Sequence, residues 1–312
     1  MTVETRRIAL KVDVDTLRGT REGVPRLMAA LREFQAGCSF YFSLGPDNTG
    51  RALKRVFRRG FLGKVRRTSV LEHYGIRTLL YGTVLPGPRI DRHAAAVLRA
   101  VRDAGFEVGV HCHDHVRWQD GVAHADAAWT RREFVRALDA FRGVFGTAAR
   151  AHAAAAWQIN AQVLNLEHEF GLDYASDARG SRPFWPTMAG VQGRCLQLPT
   201  TLPTFDELIG VDGRDAQGAA QEILHRSRTG SSDTHVFTLH AELEGQKLLP
   251  QFEFLLRRWR EAGVVLESMQ DYHRRLDGAA VARHELIWGE VPGRSGLLAA
   301  QGVAVPGLGP QT

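Results

Sequence analysis

Short apolar runs alternate with helical patterns through most of the chain. RIALKVDVD (7–15) predicts a strand, TREGVPRLMAALREF a helix with Thr20 as its cap, and CSFYFSLG (38–45) a second strand. RHAAAVLRAVRDAG predicts a helix ending at Gly105, FEVGVHC the next strand and RREFVRALDAFRGVFG another helix. A short strand around Arg150 to Ala154, the helix QINAQVLNLEHEFG and the strand LDYASD follow. CLQLPTT, the helical AAQEILHRSR, the strand THVFTLH, the helix FEFLLRRWREAG and the strand VVLESM complete the series. This βα alternation implies a parallel sheet with helices outside, so a barrel-like α/β fold in one catalytic domain is expected over residues 1–283. Past residue 284 the chain is rich in Gly and Pro and carries no period, which predicts a mobile tail or strapping segment over 284–312.

Composition narrows this only a little. An apolar share of 44% and a charged share of 24% over 312 residues suit a globular chain with a sizeable core and exclude wholesale disorder. Cys38, Cys112 and Cys195 are odd in number and form no CxxC pair, which argues against a disulfide framework or a Cys-based zinc site and fits a reducing compartment. MTVETRRIALKVDVD runs straight into a strand without an apolar leader, and no stretch approaches the roughly 18 apolar residues of a spanning helix. A cytoplasmic protein is therefore expected.

The net charge of +6 changes the picture more, because it is concentrated. Within an insertion over about residues 47–90, the stretch RALKRVFRRGFLGKVRR (51–67) places Leu53, Val56, Phe57, Phe61 and Val65 at helical spacing. Arg51, Lys54, Arg55, Arg58 and Arg59 fall largely on the opposite side. Such a basic amphipathic helix is either a core helix with a solvated face or a docking element for an anionic membrane surface. Nucleic acid is not an expected partner, since no recognition motif accompanies the charge and the aromatics lie on the apolar side.

The candidate chemistry sits in VGVHCHDH (108–115). A solvated loop, or histidines that finish the hydrogen bonding of a strand end, would explain such a stretch taken alone. In parallel α/β folds, however, functional groups gather at the C-terminal strand ends. Asp13 and Asp15 end the first strand, and His111, His113, Asp114 and His115 end the strand from Phe106. Asp177 ends LDYASD, and His240 ends THVFTLH. Four strands thus aim carboxylates or imidazoles at one rim. His111 and His115 share a face if the chain turns helically after the strand, and all three histidines do if it stays extended. A carboxylate of DVD added to two imidazoles makes a site that leaves positions open for water, as hydrolytic metals require.

KVDVDTLRGTREGVP, VGVHCHDHVRWQ, HAAAAWQ, YASDARG with PFWP, LPTTLPTFDELIG and FTLHAELEG together resemble the NodB-type polysaccharide deacetylase family, from about Arg7 to Met269. The resemblance implies a deformed (β/α)7 barrel and one divalent metal ion (Zn, with Co, Mn or Ni as alternatives) held by Asp15, His111 and His115. It implies Asp13 as general base and His240 as general acid, with the two aspartate roles exchangeable. Asp177 either orients or charge-tunes His240 or caps the turn into ARG. Arg179 and Glu242 are candidates for contact with the sugar or phosphate. Within the family, the motif set is most similar to deformylases that act on undecaprenyl-phosphate-linked 4-deoxy-4-formamido-L-arabinose in lipid A modification. That substrate would place the protein at the inner face of the inner membrane, docked through Arg55, Arg58 and Arg59. The chain departs from the family pattern at Ala156, where close relatives have glycine, and offers no clear counterpart of the arginine that tunes the base, Arg150 lying only nearby. Other readings are a related metal-dependent deacetylase of another N-acyl sugar, an amidohydrolase site built on His111 and His113, and a basic membrane- or nucleic-acid-binding module with structural histidines.

Overall fold

The computed structural model describes residues 6–52, 78–229 and 233–306. Strand β1 (Arg7–Val14) is buried along nearly its whole length, which is why it reads as an almost continuous apolar run. It pairs in parallel with β2 (Ser39–Ser43) on one side and β9 (Thr234–His240) on the other. From β2 the parallel sheet continues through β3 (Glu107–Cys112), β4 (Ala151–His152) and β5 (Tyr174–Ala175) to β8 (Leu196–Gln197). β10 (Val265–Glu267) pairs with the first residues of β1. Beyond β8 the N–H groups of Thr201 and Leu202 donate to the Val236 carbonyl of β9, both at 3.1 Å, and the Thr200 and Thr238 hydroxyls meet at 2.7 Å. These contacts bring the last strand round to β9 and curl the sheet into the deformed (β/α)7 barrel that the resemblance implies, in keeping with the barrel-like fold expected from the alternation.

Helices 24–33, 95–103, 127–145 and 249–261 cover the outside, and their buried Leu31, Leu98, Phe141, Phe145, Phe252 and Trp259 join Val12, Phe40 and Phe42 of the sheet in one apolar cluster. Thr20 does not cap the first helix. The chain enters it through a turn over Gly19–Gly23, and the cap is Thr16, whose Oγ1 accepts the Gly19 N–H at 2.9 Å. A Cβ at Gly19 would collide with the Glu242 carboxylate, so only glycine lets this turn lie against the end of β9.

A second sheet in the order β12-β11-β6-β7 packs beside the barrel: β6 (Trp185–Met188), β7 (Val191–Gln192), β11 (Arg283–Glu290) and β12 (Leu297–Ala304). Of the mobile tail or strapping segment expected over 284–312, the part through residue 304 takes the form of a strap. Through residue 304 the segment is an antiparallel hairpin, tied in parallel register to β6 and buried at Leu286, Leu298 and Ala299. Pairing and packing supply what the weak alternation of its sequence concealed. Arg55, Arg58 and Arg59 lie outside the described residues, and among those described no helix is long and apolar enough to cross a membrane.

Candidate active site

Parallel strands in register place the chemistry. Asp13 stands opposite His240 of β9, and Asp13 and Asp15 share a strand face because side chains alternate. After β3 the chain turns rather than running on: Asp114 caps helix 115–121, its carboxylate accepting the Arg117 N–H at 3.0 Å. Of the two geometries open to HCHDH, the helical turn is therefore the one formed, and it brings His115 beside His111.

His111 Nε2 lies 3.2 Å from Asp15 Oδ1, and His115 Nε2 lies 3.4 Å from Asp15 Oδ2. His111 Nδ1 faces the Ala153 carbonyl at 2.6 Å. A carbonyl accepts only, so Nδ1 carries the proton and Nε2 is the nitrogen turned to the cluster; burial pulls the ring's pKa down, but the Asp13 and Asp15 carboxylates outweigh it and raise it. Burial pushes the Asp15 carboxyl up, but the imidazoles of His115 and His111 outweigh it and hold the group below the usual carboxylate range. Burial pulls His115 down, towards the neutral form that can ligate. Asp15 Oδ1 is buried without a hydrogen-bond partner. Two imidazole nitrogens and a carboxylate that converge in this way, with a ligand atom left unsatisfied, fit a divalent cation. His113 is not part of the cluster. It lies against Gly45 and lines a separate cavity of about 610 Å³ with Arg89, Arg92 and Arg136, so an HxH pair of the amidohydrolase kind does not form.

Around this cluster the structure adds groups that the sequence reading passed over. Lys11 is fully buried, its Nζ 3.5 Å from Asp13 Oδ2 and donating to the Ser176 carbonyl at 3.1 Å. Burial pulls its ammonium down, opposed by the charges of Asp13 and Asp177. A signal existed: Lys11, Asp13 and Asp15 alternate in an otherwise apolar strand, which puts a cation on the face of both carboxylates. Arg150 is not the partner of Asp13, being an exposed side chain paired with Asp173. On the other side of His240, its backbone N–H donates to Glu244 Oε2 at 2.7 Å, while His240 Nδ1 is buried without a partner. Burial pushes Glu244 up to about 7.

Asp177 does not stand beside His240 as expected. It lies 3.0 Å from His152 Nδ1 and accepts from the Ala154 N–H at 2.7 Å and Gln197 Nε2 at 3.0 Å. With Glu167, whose carboxyl burial and the Asp177 charge push well above the usual range, these residues make a second group that could in principle ligate a cation. Both Asp177 oxygens are engaged by protein donors, however, and His152, Glu167 and Asp177 are all buried, so no position is open to water. The cluster is a hydrogen-bonded strut that joins β4, β5 and β8. Glu242 is likewise internal. Its Oε1 accepts from the Asp15 and Thr16 N–H groups at 3.1 and 2.8 Å, and burial raises its carboxyl to about 8. Arg179 pairs with Glu207 at 3.1 Å and lies 5.2 Å from the Trp157 ring. Ala156 and Trp157 hold φ of 53° and 52°, a left-handed conformation that glycine adopts without cost.

A family model described as polysaccharide deacetylase matches residues 2–175. A protein of Shewanella sediminis (strain HAW-EB3) named "Probable 4-deoxy-4-formamido-L-arabinose-phosphoundecaprenol deformylase ArnD" is 34% identical over 297 residues, covering 95% of this chain and 94% of its own length. A protein of the same name from Wigglesworthia glossinidia brevipalpis is 28% identical, covering 91% of this chain and 98% of its own. Among solved structures, the Puue allantoinase superposes with a TM-score of 0.58 at 15% identity, over 88% of this chain and 91% of that one.

Proposed function

Because the chain belongs to the polysaccharide deacetylase family and is a hydrolase of carbon–nitrogen amide bonds, we propose that it removes the formyl group from undecaprenyl-phosphate-linked 4-deoxy-4-formamido-L-arabinose. The products are formate and the free 4-amino sugar. The observation that carries this reading is the convergence of Asp15, His111 and His115, with Asp13 and His240 in register one strand apart. The curated relatives covered almost end to end supply the substrate.

Asp15, His111 and His115 would hold one divalent cation. When bound it polarises an amide carbonyl and makes water nucleophilic near neutral pH. Asp13 takes the proton of the attacking water on Oδ1, an oxygen that is buried and has no hydrogen-bond partner. Lys11, held behind it by the Ser176 carbonyl, fixes the direction of that carboxylate and takes the place left by the missing arginine. His240 protonates the departing amine, without which the C–N bond would expel a very poor leaving group. Glu244 supports His240 through the backbone, and the strut of His152, Glu167 and Asp177 keeps the wall behind Lys11 and Asp13 from shifting. The substrate's lipid anchor accounts for the basic stretch 51–67, which docks the protein on the anionic inner face of the inner membrane.

Mass spectrometry of the lipid-linked formamido sugar after incubation tests the reading. Wild type converts it with loss of one formyl group, and Asp13→Ala and His240→Ala do not. Conversion by both variants, or none by wild type loaded with Zn, Co, Mn or Ni, rejects it.

A further inference from the structure

The C-terminal hairpin does more than pack beside the barrel. Its second strand is bonded to the mouth: the Arg179 N–H donates to the Ala299 carbonyl at 2.9 Å and the Gln301 N–H to the Arg179 carbonyl at 2.7 Å. Gln158 Nε2 reaches the Leu297 carbonyl at 2.7 Å, and the Ser181 N–H donates to Gln301 Oε1 at 2.8 Å. Gln158 and Arg179 belong to the segments that follow β4 and β5, so the hairpin is fastened to the rim where the candidate catalytic groups stand.

The turn between β11 and β12 then bends inward. Gly293, at φ 86°, lies so close to the Glu207 backbone that a Cβ would collide with that carbonyl. This approach delivers Arg294. Its Nη2 lies 3.0 Å from Asp206 Oδ2, its Nε donates to Glu207 Oε1 at 3.0 Å, and its guanidinium carbon stands 4.7 Å from the centre of the Trp157 ring. The same ring meets the His240 imidazole edge to face at 6.5 Å. Burial pushes the Asp206 carboxyl up, but Arg294 and then His240 outweigh it and hold it down, so Asp206 senses both. Arg294 therefore clamps the aromatic face that meets His240, and the Asp206 and Glu207 carboxylates beside it, from a part of the chain more than fifty residues away. A fork-shaped cation suits this task, because it can bridge Asp206 and Glu207 while lying against a ring.

We propose that the hairpin turn is a wall of the reaction site and that Arg294 is a positioning residue, fixing His240 through the Trp157 ring that it holds from the other side with Asp206 and Glu207. The proposal rests on the reading of His240 as the proton donor. Since His240 contributes to bond cleavage rather than to substrate capture, loosening it acts on kcat. Misplacement of a catalytic group costs up to about 10²-fold, and Arg294→Ala is expected to lower kcat by about tenfold to a hundredfold with KM changed less than about threefold. Arg294→Lys recovers part of the loss, because it restores the charge beside Asp206 without the fork.

Two readouts separate a failure of this inference from a failure of the proposed reaction. The first is kcat and KM on the lipid-linked formamido sugar, with melting temperature and bound metal measured in parallel. The second needs no substrate: the 15N signals of the His240 ring at fixed pH in wild type, Arg294→Ala and Val303→Ala, the last an exposed position on the same hairpin. The His240 signals are expected to move in Arg294→Ala and to stay in place in Val303→Ala. Unmoved His240 signals in Arg294→Ala overturn the inference even if wild type shows no turnover. A loss of kcat matched by equal loss of folded protein or bound metal overturns it as well.

Discussion

The fully buried Lys11 Nζ lies 3.5 Å from Asp13 Oδ2, with the Trp157 and Tyr41 rings 5.4 and 5.8 Å away. Removing one member of a buried ion pair leaves the other uncompensated and costs about 3–5 kcal/mol. Lys11→Met is accordingly expected to lose stability on that scale and to lower kcat by about 10²-fold, the size of a positioned base's contribution. Lys11→Arg retains more of both. Denaturant unfolding and steady-state kinetics check this; a Lys11→Met protein with wild-type kcat would show that Asp13 needs no partner.

The Asp15, His111 and His115 cluster predicts one bound divalent ion per chain. Elemental analysis of the purified protein should find close to one equivalent in wild type and a small fraction of that in Asp15→Asn and His115→Ala. His113→Ala should retain the metal, as its ring faces another cavity. A chelator should abolish activity, and readdition of Zn, Co, Mn or Ni should restore it. Metal lost from His113→Ala but kept in His115→Ala would overturn the assignment.

Glu244 predicts a pH dependence of stability. Its folded carboxyl titrates near 7 against an unfolded value of 4.5, so the folded state holds the proton more tightly. Its contribution is fully present below pH 4.5 and is lost as pH rises through 7, a loss of at most roughly 3 kcal/mol. Glu244→Gln, which cannot ionise, should show a smaller fall in melting temperature between pH 5 and pH 8 than wild type. Parallel curves for the two proteins would rule out Glu244 as a source of that slope.

The basic stretch predicts salt-sensitive membrane binding. Cations near an anionic surface contribute about 1 kcal/mol each, so replacing Arg55, Arg58 and Arg59 together by Gln should weaken binding to anionic vesicles by about 10²-fold at low salt. Hydrolysis of a water-soluble analogue should be unaffected. Vesicle co-sedimentation with phosphatidylglycerol measures the first, and unchanged binding would remove the docking role.

What the chain alone determines follows from local rules. Runs of buried β-rich residues and helical spacing specify which segments become strands and helices, and the rule that loops of a parallel sheet open on one face places Asp13, Asp15, His111, His115 and His240 at a common rim. Such periodicity needs no partner to be legible. What depends on long-range packing was hidden: which of two geometries HCHDH adopts, the turn of Asp177 away from His240 towards His152, and the closure between Thr201 and Val236. The hairpin is the clearest case. Its alternation is weak in the sequence and its backbone is bonded to β6 and Arg179, so the arrival of Arg294 beside Trp157 and Asp206 is a product of the assembled tertiary structure.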